Sequence, residues 1–317
     1  MVGAVTDTHP DHRLDTSDAN VHHDWDADRD PVLTVEPGEV VRFECLDATG
    51  GELAPGATVE DVRNRDSPGH AMTGPVTVAG AEPGDGLAVE LLAVETGDWG
   101  VTYVYPEGSD AGFLPGAAPG GAIHHWELDG DTATFEPGIE VPLSPFPGNL
   151  GLVPAEDGPH STTPPRAVGG NLDVRHLVAG SRLELPVEVT GGLFSIGDGH
   201  AAQGDGEVCV TAIECPTTVD VRFELTGDPP AAPRFETPGG DAWREGPAVA
   251  TTGVGPDLET AARGALSAML DRLETRGLDR ERAYMLCSVA ADLQLSQVVN
   301  DPNRTVTCRL PTRVLGE

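Results

Sequence analysis

Lysine is missing from this sequence: all 19 of its basic residues are arginine, set against 52 aspartate and glutamate residues. The resulting formal net charge of −33 repels polyanions, which excludes nucleic acid and anionic membrane surfaces as expected partners. The acidic residues occur along the whole chain and are interleaved with apolar segments, which argues against a disordered acidic region. We therefore expect a folded protein whose surface is adapted to a salt-rich cytoplasm, where molar cations screen the self-repulsion.

The usual signals of secretion, membrane insertion and disulfide bonding are also missing. The five cysteines form no CxxC pair and leave one over if paired, which indicates buried small side chains rather than a disulfide framework. Residues 1–20 are polar and lack the apolar core of a signal peptide. No run approaches the roughly 18 apolar residues of a membrane helix. These absences predict a soluble, cytoplasmic protein that begins with a loosely ordered acidic lead, residues 1–20.

The order of apolar segments and turns predicts a mainly β fold. Between residues 21 and 225, short apolar runs are separated by turns rich in Gly and Pro, as in a β-sandwich or a barrel-like body. Within this body, the runs 32–35 and 40–46 flank a Glu-Pro-Gly-Glu turn and predict a hairpin. The run 208–214 predicts a further strand. We expect this body to carry the functional site.

The last part of the chain, residues 226–317, predicts a linker followed by a smaller C-terminal α+β unit packed on the body. Apolar residues recur at helical spacing over 257–275, which predicts a helix. The segment 283–295 is compatible with a strand leading into a helix or with one helix alone. The run 306–310 predicts a final strand.

One stretch, residues 193–207, concentrates groups that can carry chemistry. It holds two Asp, one His, one Glu and one Gln, separated almost only by Gly and Ala. Glycine allows the backbone to curl these side chains toward one point, and carboxylates with a neutral imidazole are ligands for a divalent cation such as zinc. The alternative is a polar hairpin loop with a solvated histidine, since acidic Gly-rich turns are common.

Two other Gly-rich stretches supply further candidates for a metal-dependent hydrolase. His70 lies just before a short apolar strand, and Asn171 and Asp173 follow two glycines and face one side of an extended segment. Such a site needs about three ligands, an open position for water and a nearby general base. A nucleophilic alternative is weaker, because Ser195 lacks the GxSxG elbow and no cysteine has an activating neighbourhood. A protein that only binds a ligand stays open, although no DxDxDG calcium loop is present.

Several motifs, taken together and in order, resemble the acetamidase/formamidase family. The resemblance extends from about residue 21 to the C-terminal segment, and its most specific part is Gly-Asp-Gly-His-Ala-Ala-Gln-Gly-Asp-Gly-Glu. The motifs occupy residues 69–75, 80–85, 145–148, 169–173, 197–207 and 296–300. The resemblance implies hydrolysis of short aliphatic amides to a carboxylate and ammonia, on a β-rich fold, with a bound divalent cation and as an oligomer. The missing lysines depart from the pattern expected of the family.

The candidate residues lead to a mechanistic hypothesis. Asp173, Asp198 and His200, helped by Asn171, hold a divalent cation, with zinc as first choice and calcium or another divalent ion as the alternative. The general base is Glu207 or Asp205, and His70 orients the substrate or serves as a further ligand. We expect substrate contacts from Phe146, Phe194 and Gln203. The two phenylalanines, together with Leu193, form a small apolar pocket that admits a methyl group but not a long chain.

Two functions of different classes therefore remain at the level of the sequence. The first is a metal-dependent amidase that acts on formamide and acetamide and assembles as a homo-oligomer, a dimer or higher. The second is a non-catalytic β-rich protein that binds a small polar ligand through the same loops. Turnover separates the two, whereas metal content does not, because both can bind a cation.

Overall fold

The computed structural model describes residues 9–66, 68–106, 111–114, 117–238 and 246–316, and over these ranges the chain is mainly β. The strands are β1 (His12–Leu14), β2 (Val21–His22), β3 (Asp24–Trp25), β4 (Leu33–Val35), β5 (Val40–Cys45), β6 (Met72–Val78), β7 (Gly86–Thr96), β8 (Trp99–Val104), β9 (Ala122–Glu127), β10 (Thr132–Glu136), β11 (Ile139–Pro142), β12 (Phe146–Gly151), β13 (His160–Ser161), β14 (Pro165–Arg166), β15 (Gly169–Asn171), β16 (Arg182–Pro186), β17 (Phe194–His200), β18 (Thr217–Thr226), β19 (Arg234–Thr237), β20 (Ala248–Gly255), β21 (Asp292–Gln297) and β22 (Arg304–Pro311). The helices are α1 (Val59–Asn64), α2 (Leu258–Thr275) and α3 (Arg280–Ala290), with a short 3₁₀ helix at Thr312–Leu315. This composition confirms the mainly β prediction.

Two sheets pack against each other. The larger has nine strands in the order β1-β5-β18-β7-β16-β19-β20-β22-β21, antiparallel apart from the β1–β5 pair. The smaller has seven, in the order β14-β15-β12-β17-β6-β2 with β4 beside β6. Fully buried residues of both sheets form one hydrophobic cluster, with Phe43 and Phe223 from the larger and Phe194 and Ile196 from the smaller. The core therefore lies between the sheets, as in a β-sandwich.

The hairpin predicted around the Glu-Pro-Gly-Glu turn is wrong. β4 pairs in parallel with β6 in the smaller sheet, whereas β5 pairs with β1 and β18 in the larger. The turn instead passes the chain from one sheet to the other, which lets both apolar strands contribute Val35 and Phe43 to the shared core. A local turn signal cannot distinguish a hairpin from such a crossing, because both need the same reversal.

The C-terminal elements extend the larger sheet. The predicted helix is confirmed as α2, which begins where the Asp257 side chain accepts a hydrogen bond from the Thr260 backbone N–H at 2.8 Å. The ambiguous segment 283–295 is neither of the two alternatives: α3 comes first and leads into strand β21. The predicted final strand is confirmed as β22, which pairs with both β20 and β21.

Two predictions about the central region differ from the structure. The first part of the stretch 193–207 is not a loop, because β17 runs through Asp198 and His200 as a fully buried strand between β12 and β6, whereas residues 201–207 lie outside the named strands. The strand predicted over 208–214 is wrong; within it only Glu214 forms an isolated bridge, to Val101 and His200. Asp198 and His200 are thus fixed by the smaller sheet itself, which is more rigid than a loop.

Of the predicted loosely ordered lead, residues 1–8 lie outside the described part of the chain. Within residues 9–20, β1 pairs in parallel with β5, and Leu14 joins the main core. None of the helices in the described part of the chain has the length and apolar content of a membrane span.

Candidate functional site

Strand β17 brings two of the predicted ligands to one place. Asp198 and His200 are two residues apart on it, and both are almost completely buried. The His200 Nε2 lies 3.3 Å from Asp198 Oδ1 and 3.2 Å from Glu214 Oε2, while its Nδ1 lies 4.0 Å from Asp173 Oδ1. The imidazole is therefore surrounded by three carboxylates. The Phe146 ring packs edge-on against it at 5.0 Å.

Three carboxylate-bearing residues of the cluster adopt a left-handed backbone. Asp173, Asp198 and Glu207 have φ of 47°, 59° and 47°, a region that few residues other than glycine occupy. Such conformations persist when the surrounding structure over-determines them, and they concentrate at functional sites. The hydrogen bonds of neighbouring strands hold two of them, since Asp173 N donates to Gly148 O at 3.1 Å and Asp198 is on β17.

The donor atoms of the cluster are arranged as they would be around a cation. One group is Asp173, Asp198 and His200, and a second is His200, Glu207 and Glu214; within each, one ligand atom per residue lies within 4.8 Å of the others. Among the described residues, the buried atoms Asp173 Oδ1, Asn171 Oδ1 and His200 Nδ1 have no hydrogen-bond partner. Buried polar atoms are rarely left unpartnered, so this donor set fits a divalent cation.

A glycine of the neighbouring strand makes room for this cluster. A Cβ atom at Gly148 of β12 would lie 2.6 Å from Asp173 Oδ1, 2.6 Å from His200 Cε1 and 2.8 Å from Asp198 Oδ2. Any other residue at Gly148 would therefore push the three side chains apart. The Pro-Phe-Pro-Gly segment that the sequence marks as a motif owes its glycine to this close approach.

Burial and mutual charge set the protonation of the cluster. Burial raises the pKa of Asp173, and the neighbouring Asp198 raises it further, to about 8. Burial also raises the pKa of Glu214, to about 7. For Asp198 the effect of burial is outweighed by the charges of His200 and His70, which lower its pKa to about 2.

The remaining groups follow the same rules. Burial lowers the pKa of His200, but Glu214 and Asp198 outweigh it and raise that pKa well above its ordinary value. Burial, followed by the charge of Asp173, raises the pKa of Glu207 well above its ordinary value. The cluster thus binds protons that a cation would displace, because metal ligands must be deprotonated.

His70 lies next to the cluster but is not part of it. Its backbone N–H donates to Thr162 Oγ1 at 2.8 Å, its Nδ1 is 3.3 Å from the same hydroxyl, and its Nε2 is 4.0 Å from Asp198 Oδ2. Burial lowers the pKa of His70. The ring is therefore neutral at physiological pH.

Two amide side chains connect the cluster to the C-terminal part of the chain. Asn300 donates through Nδ2 to Asp173 Oδ2 and, at 3.4 Å, to the carbonyl of Asn171. Gln203 donates through Nε2 to the carbonyls of Asp173 at 3.0 Å and Ser296 at 3.3 Å. Asn300 is buried at 4% exposure. The segment after β21 therefore completes the site.

Four predicted residues occupy positions that bear on their predicted roles. Asp205 is half-exposed and pairs with Arg175 at 3.0 Å, and it is not among the residues that line the site cavity. Phe194 packs in the core against Phe43 and Phe223, with ring centroids 5.8 and 5.1 Å away. Phe146 contacts His200, and neither phenylalanine lines the cavity. Gln203 lies between two backbone carbonyls and donates a hydrogen bond to each of them.

The sequence analysis missed Glu214 and Asn300. Glu214 is 1% exposed and lies against His200, yet in the sequence it only ends an apolar run. A lone carboxylate inside an apolar run is the signal that would have marked it, since buried acids are rare without a partner. Asn300 lies in a motif carrying the resemblance, but no local feature connects it to Asp173, which is 127 residues away.

The cluster opens into a cavity of about 330 Å³. Its acidic lining consists of Asp173, Asp198, Glu207 and Glu214, and the remaining lining includes Arg65. Buried carboxylates with shifted pKa values, an imidazole and a small cavity are the features of a candidate active site.

Comparison with known proteins agrees with this assignment. The model of the acetamidase/formamidase family matches residues 7–161 and 155–317. The chain belongs to this family, which confirms the resemblance found in the motifs, and the protein is an amidase.

Individual relatives match over most of the chain or over a large part of it. A formamidase of Methylophilus methylotrophus is 28% identical over 365 residues, covering 94% of this chain and 90% of its own. An acetamidase of Mycolicibacterium smegmatis is 29% identical over 64% of this chain and 65% of its own. The crystal structure of an acetamidase from Bacillus halodurans superimposes with a TM-score of 0.85 at 30% identity, covering 96% of this chain and 98% of its own.

Proposed function

We propose that this amidase hydrolyses short aliphatic amides, such as formamide and acetamide, to a carboxylate and ammonia. The observation that carries the proposal is the buried cluster around His200, whose carboxylate-bearing members Asp173, Asp198, Glu207 and Glu214 line a small cavity. The names of the formamidase and acetamidase relatives support the choice of substrates. Buried carboxylates with raised pKa values beside a cavity are more typical of a catalytic site than of a site that only binds a ligand.

We assign a divalent cation to Asp173, Asp198 and His200, with the Asn171 amide oxygen as a neutral ligand. The mixed carboxylate and imidazole set favours zinc over calcium, which prefers oxygen ligands alone. When bound, such a cation supplies a Lewis acid, which polarises an amide carbonyl and lowers the pKa of water. This assistance matters because an amide is a poor electrophile.

Glu207 is the proposed general base. Its carboxyl lines the cavity, and burial raises its pKa, which makes it a stronger proton acceptor that can take a proton from water and return it to the departing nitrogen. Asp205, the other candidate, pairs with Arg175 instead. Glu214 lies 3.2 Å from His200 Nε2 and orients the imidazole. Neutral His70 also lines the cavity, where its ring can donate to the substrate carbonyl.

The test is ammonia release from formamide, acetamide and propionamide in molar KCl, before and after exhaustive chelation. We expect activity that disappears on chelation and returns with one added metal, whose identity is then read from the reconstituted protein. Activity that survives chelation would reject metal assistance and leave the carboxylates as the catalytic groups. No ammonia from any of the three amides, with the protein folded, would reject the proposed substrates.

We further propose that the protein works in a salt-rich cytoplasm as a homo-oligomer. The excess of acidic residues and the absence of lysine support the first part. The second is supported by large apolar side chains that are more than 40% exposed on α3 and β21, namely Tyr284, Met285, Val289, Leu293 and Leu295. Light scattering after gel filtration in molar KCl tests it, and a monomer at all concentrations would contradict it.

A further inference from the structure

The wall of the active-site cavity is polar beyond its acidic cluster. Four hydroxyl-bearing residues from two segments of the chain line it, together with one guanidinium: Tyr103, Tyr105, Ser161, Thr163 and Arg65. The aliphatic side chains in the lining are short, and the two phenylalanines expected to form a methyl pocket are absent from it. The acyl group of a substrate therefore meets hydrogen-bonding groups as well as aliphatic surface.

The cavity is also larger than formamide or acetamide requires. Its volume of about 330 Å³ falls at the lower end of the range of about 300–1,000 Å³ that is typical of sites for drug-sized ligands. A substrate whose amide group lies at the acidic cluster consequently leaves room for additional acyl atoms. Those atoms would contact the hydroxyl-rich part of the lining.

The two tyrosine side chains are held in place before any substrate arrives. The Arg65 side chain is 7% exposed, and it donates to Tyr103 Oη at 3.1 Å and to Ala48 O at 3.0 Å. Because the Tyr103 hydroxyl accepts from Arg65, its own proton is directed to another acceptor. The Tyr105 ring packs edge-to-face on Tyr103 at 5.4 Å. Fixed donors of this kind select ligands at little entropic cost.

We infer that the preferred substrates are small neutral amides whose acyl group carries a hydroxyl or carbonyl oxygen, bound by the hydroxyl groups of Tyr103 and Tyr105. This inference rests on the proposed amidase function and narrows its substrate class. Neutral acyl groups are favoured over anionic ones because the acidic cluster lines the same cavity. Because Tyr103 and Tyr105 share one side-chain hydrogen bond, a purely aliphatic acyl group would leave the remaining hydroxyl proton of the pair desolvated and unpaired.

The test compares kcat/KM for glycolamide and propionamide, which have the same number of non-hydrogen atoms and differ in one hydroxyl group. We expect glycolamide to be preferred by about 10-fold or more, as for a site built to bind a substrate hydroxyl. In Tyr105→Phe and Tyr103→Phe the preference should shrink. The third tyrosine, Tyr284, is 58% exposed on α3, and Tyr284→Phe is the matched control.

The hydroxyl group also has an intrinsic effect on amide reactivity. Comparing the glycolamide to propionamide ratio between wild type and variants cancels this effect, because it is the same in all of them. Equal or lower kcat/KM for glycolamide would overturn the inference, and so would a ratio that is unchanged in both tyrosine variants. Normal turnover of acetamide in that situation would leave the proposed function intact. No ammonia from any amide would overturn the proposed function, and this inference with it.

Discussion

Single carboxylates decide the chemistry of this site, because the two candidate bases that lie close in the sequence differ completely in their surroundings. Glu207 is 6% exposed and lines the cavity, whereas Asp205 is half-exposed and pairs with Arg175. We expect Glu207→Gln to remain folded, keep its metal and lose about two orders of magnitude in kcat.

Asp205→Asn is the matched control for this variant. It removes one carboxylate from the same segment, and we expect its kcat to stay within a few-fold of wild type. Both variants are measured by ammonia release, with metal content determined on the same preparations. Near-normal turnover of Glu207→Gln, or a large loss in Asp205→Asn, would transfer the role of base away from Glu207.

A residue can also act through its neighbour, and we expect Asn300 to do so through Asp173. Its donation to Oδ2 fixes the carboxylate and leaves Oδ1 for a cation. Outer-shell partners of this kind contribute about 10–100-fold to metal affinity, so we expect Asn300→Ala to bind zinc that much more weakly. Competition with a chromophoric chelator measures it.

Asn303→Ala provides the control, since the Asn303 side chain donates to the Pro165 carbonyl at 3.1 Å and not to a carboxylate of the cluster. It lies in the same turn and removes the same chemical group. Equal zinc affinity in the two variants would contradict a positioning role for Asn300.

At the level of the elements, β12 and β17 must lie close together for the cluster to form. We expect Gly148→Ala to lose zinc binding and turnover, because the new Cβ would come within 2.6 Å of Asp173 Oδ1 and His200 Cε1. Gly204→Ala is the control, as no atom lies within 4 Å of a Cβ there. Isothermal titration with zinc distinguishes the two variants. Full zinc binding by Gly148→Ala would contradict this prediction, because it would mean that β12 can move away from the cluster.

Strands β2 and β17 do not pair directly, but His22 and Ser195 connect them. The His22 Nε2 lies 2.8 Å from Ser195 Oγ, and burial lowers the pKa of His22 from 6.5 to about 4. Between these values the unfolded chain binds more protons than the folded one, so the free energy of unfolding falls as the pH drops through this window.

The contribution of His22 is fully present above pH 6.5 and is lost toward pH 4. The shift corresponds to at most about 3 kcal/mol. We expect His22→Gln to lose less stability than wild type between pH 7 and pH 5, measured by chemical denaturation. His12→Gln, on β1, is the control. An equal pH dependence in wild type and His22→Gln would contradict this prediction.

For the whole molecule, charge is the dominant quantity. With a formal net charge of −33, the folded state is destabilised by self-repulsion wherever salt does not screen it. Raising KCl from about 0.1 M to molar concentration shortens the Debye length from about 10 to about 3 Å and should raise the melting temperature substantially. Calorimetry across this series measures the effect. A melting temperature that is independent of salt would contradict the proposed salt adaptation.

The sequence by itself determined the mainly β class, α2, β22 and membership of the family. These follow from local periodicity and from motifs in a fixed order, which need no knowledge of distant contacts. It also pointed to Asp173, Asp198, His200 and Glu207 as candidates, because ligand types between glycines are visible in the chain. Their roles in metal binding and catalysis stay predictions.

The tertiary structure decided which of these groups meet. The pairing of β17 with β12 and β6 places Asp198 and His200 beside Asp173. The crossing of the chain from one sheet to the other between β4 and β5 brings both strands to the shared core. Contacts between distant segments place Glu214 and Asn300 in the cluster. Such contacts also keep Asp205 and Phe194 out of the cavity lining. Local sequence encodes backbone preference and burial, whereas such contacts arise from the packing of the whole chain.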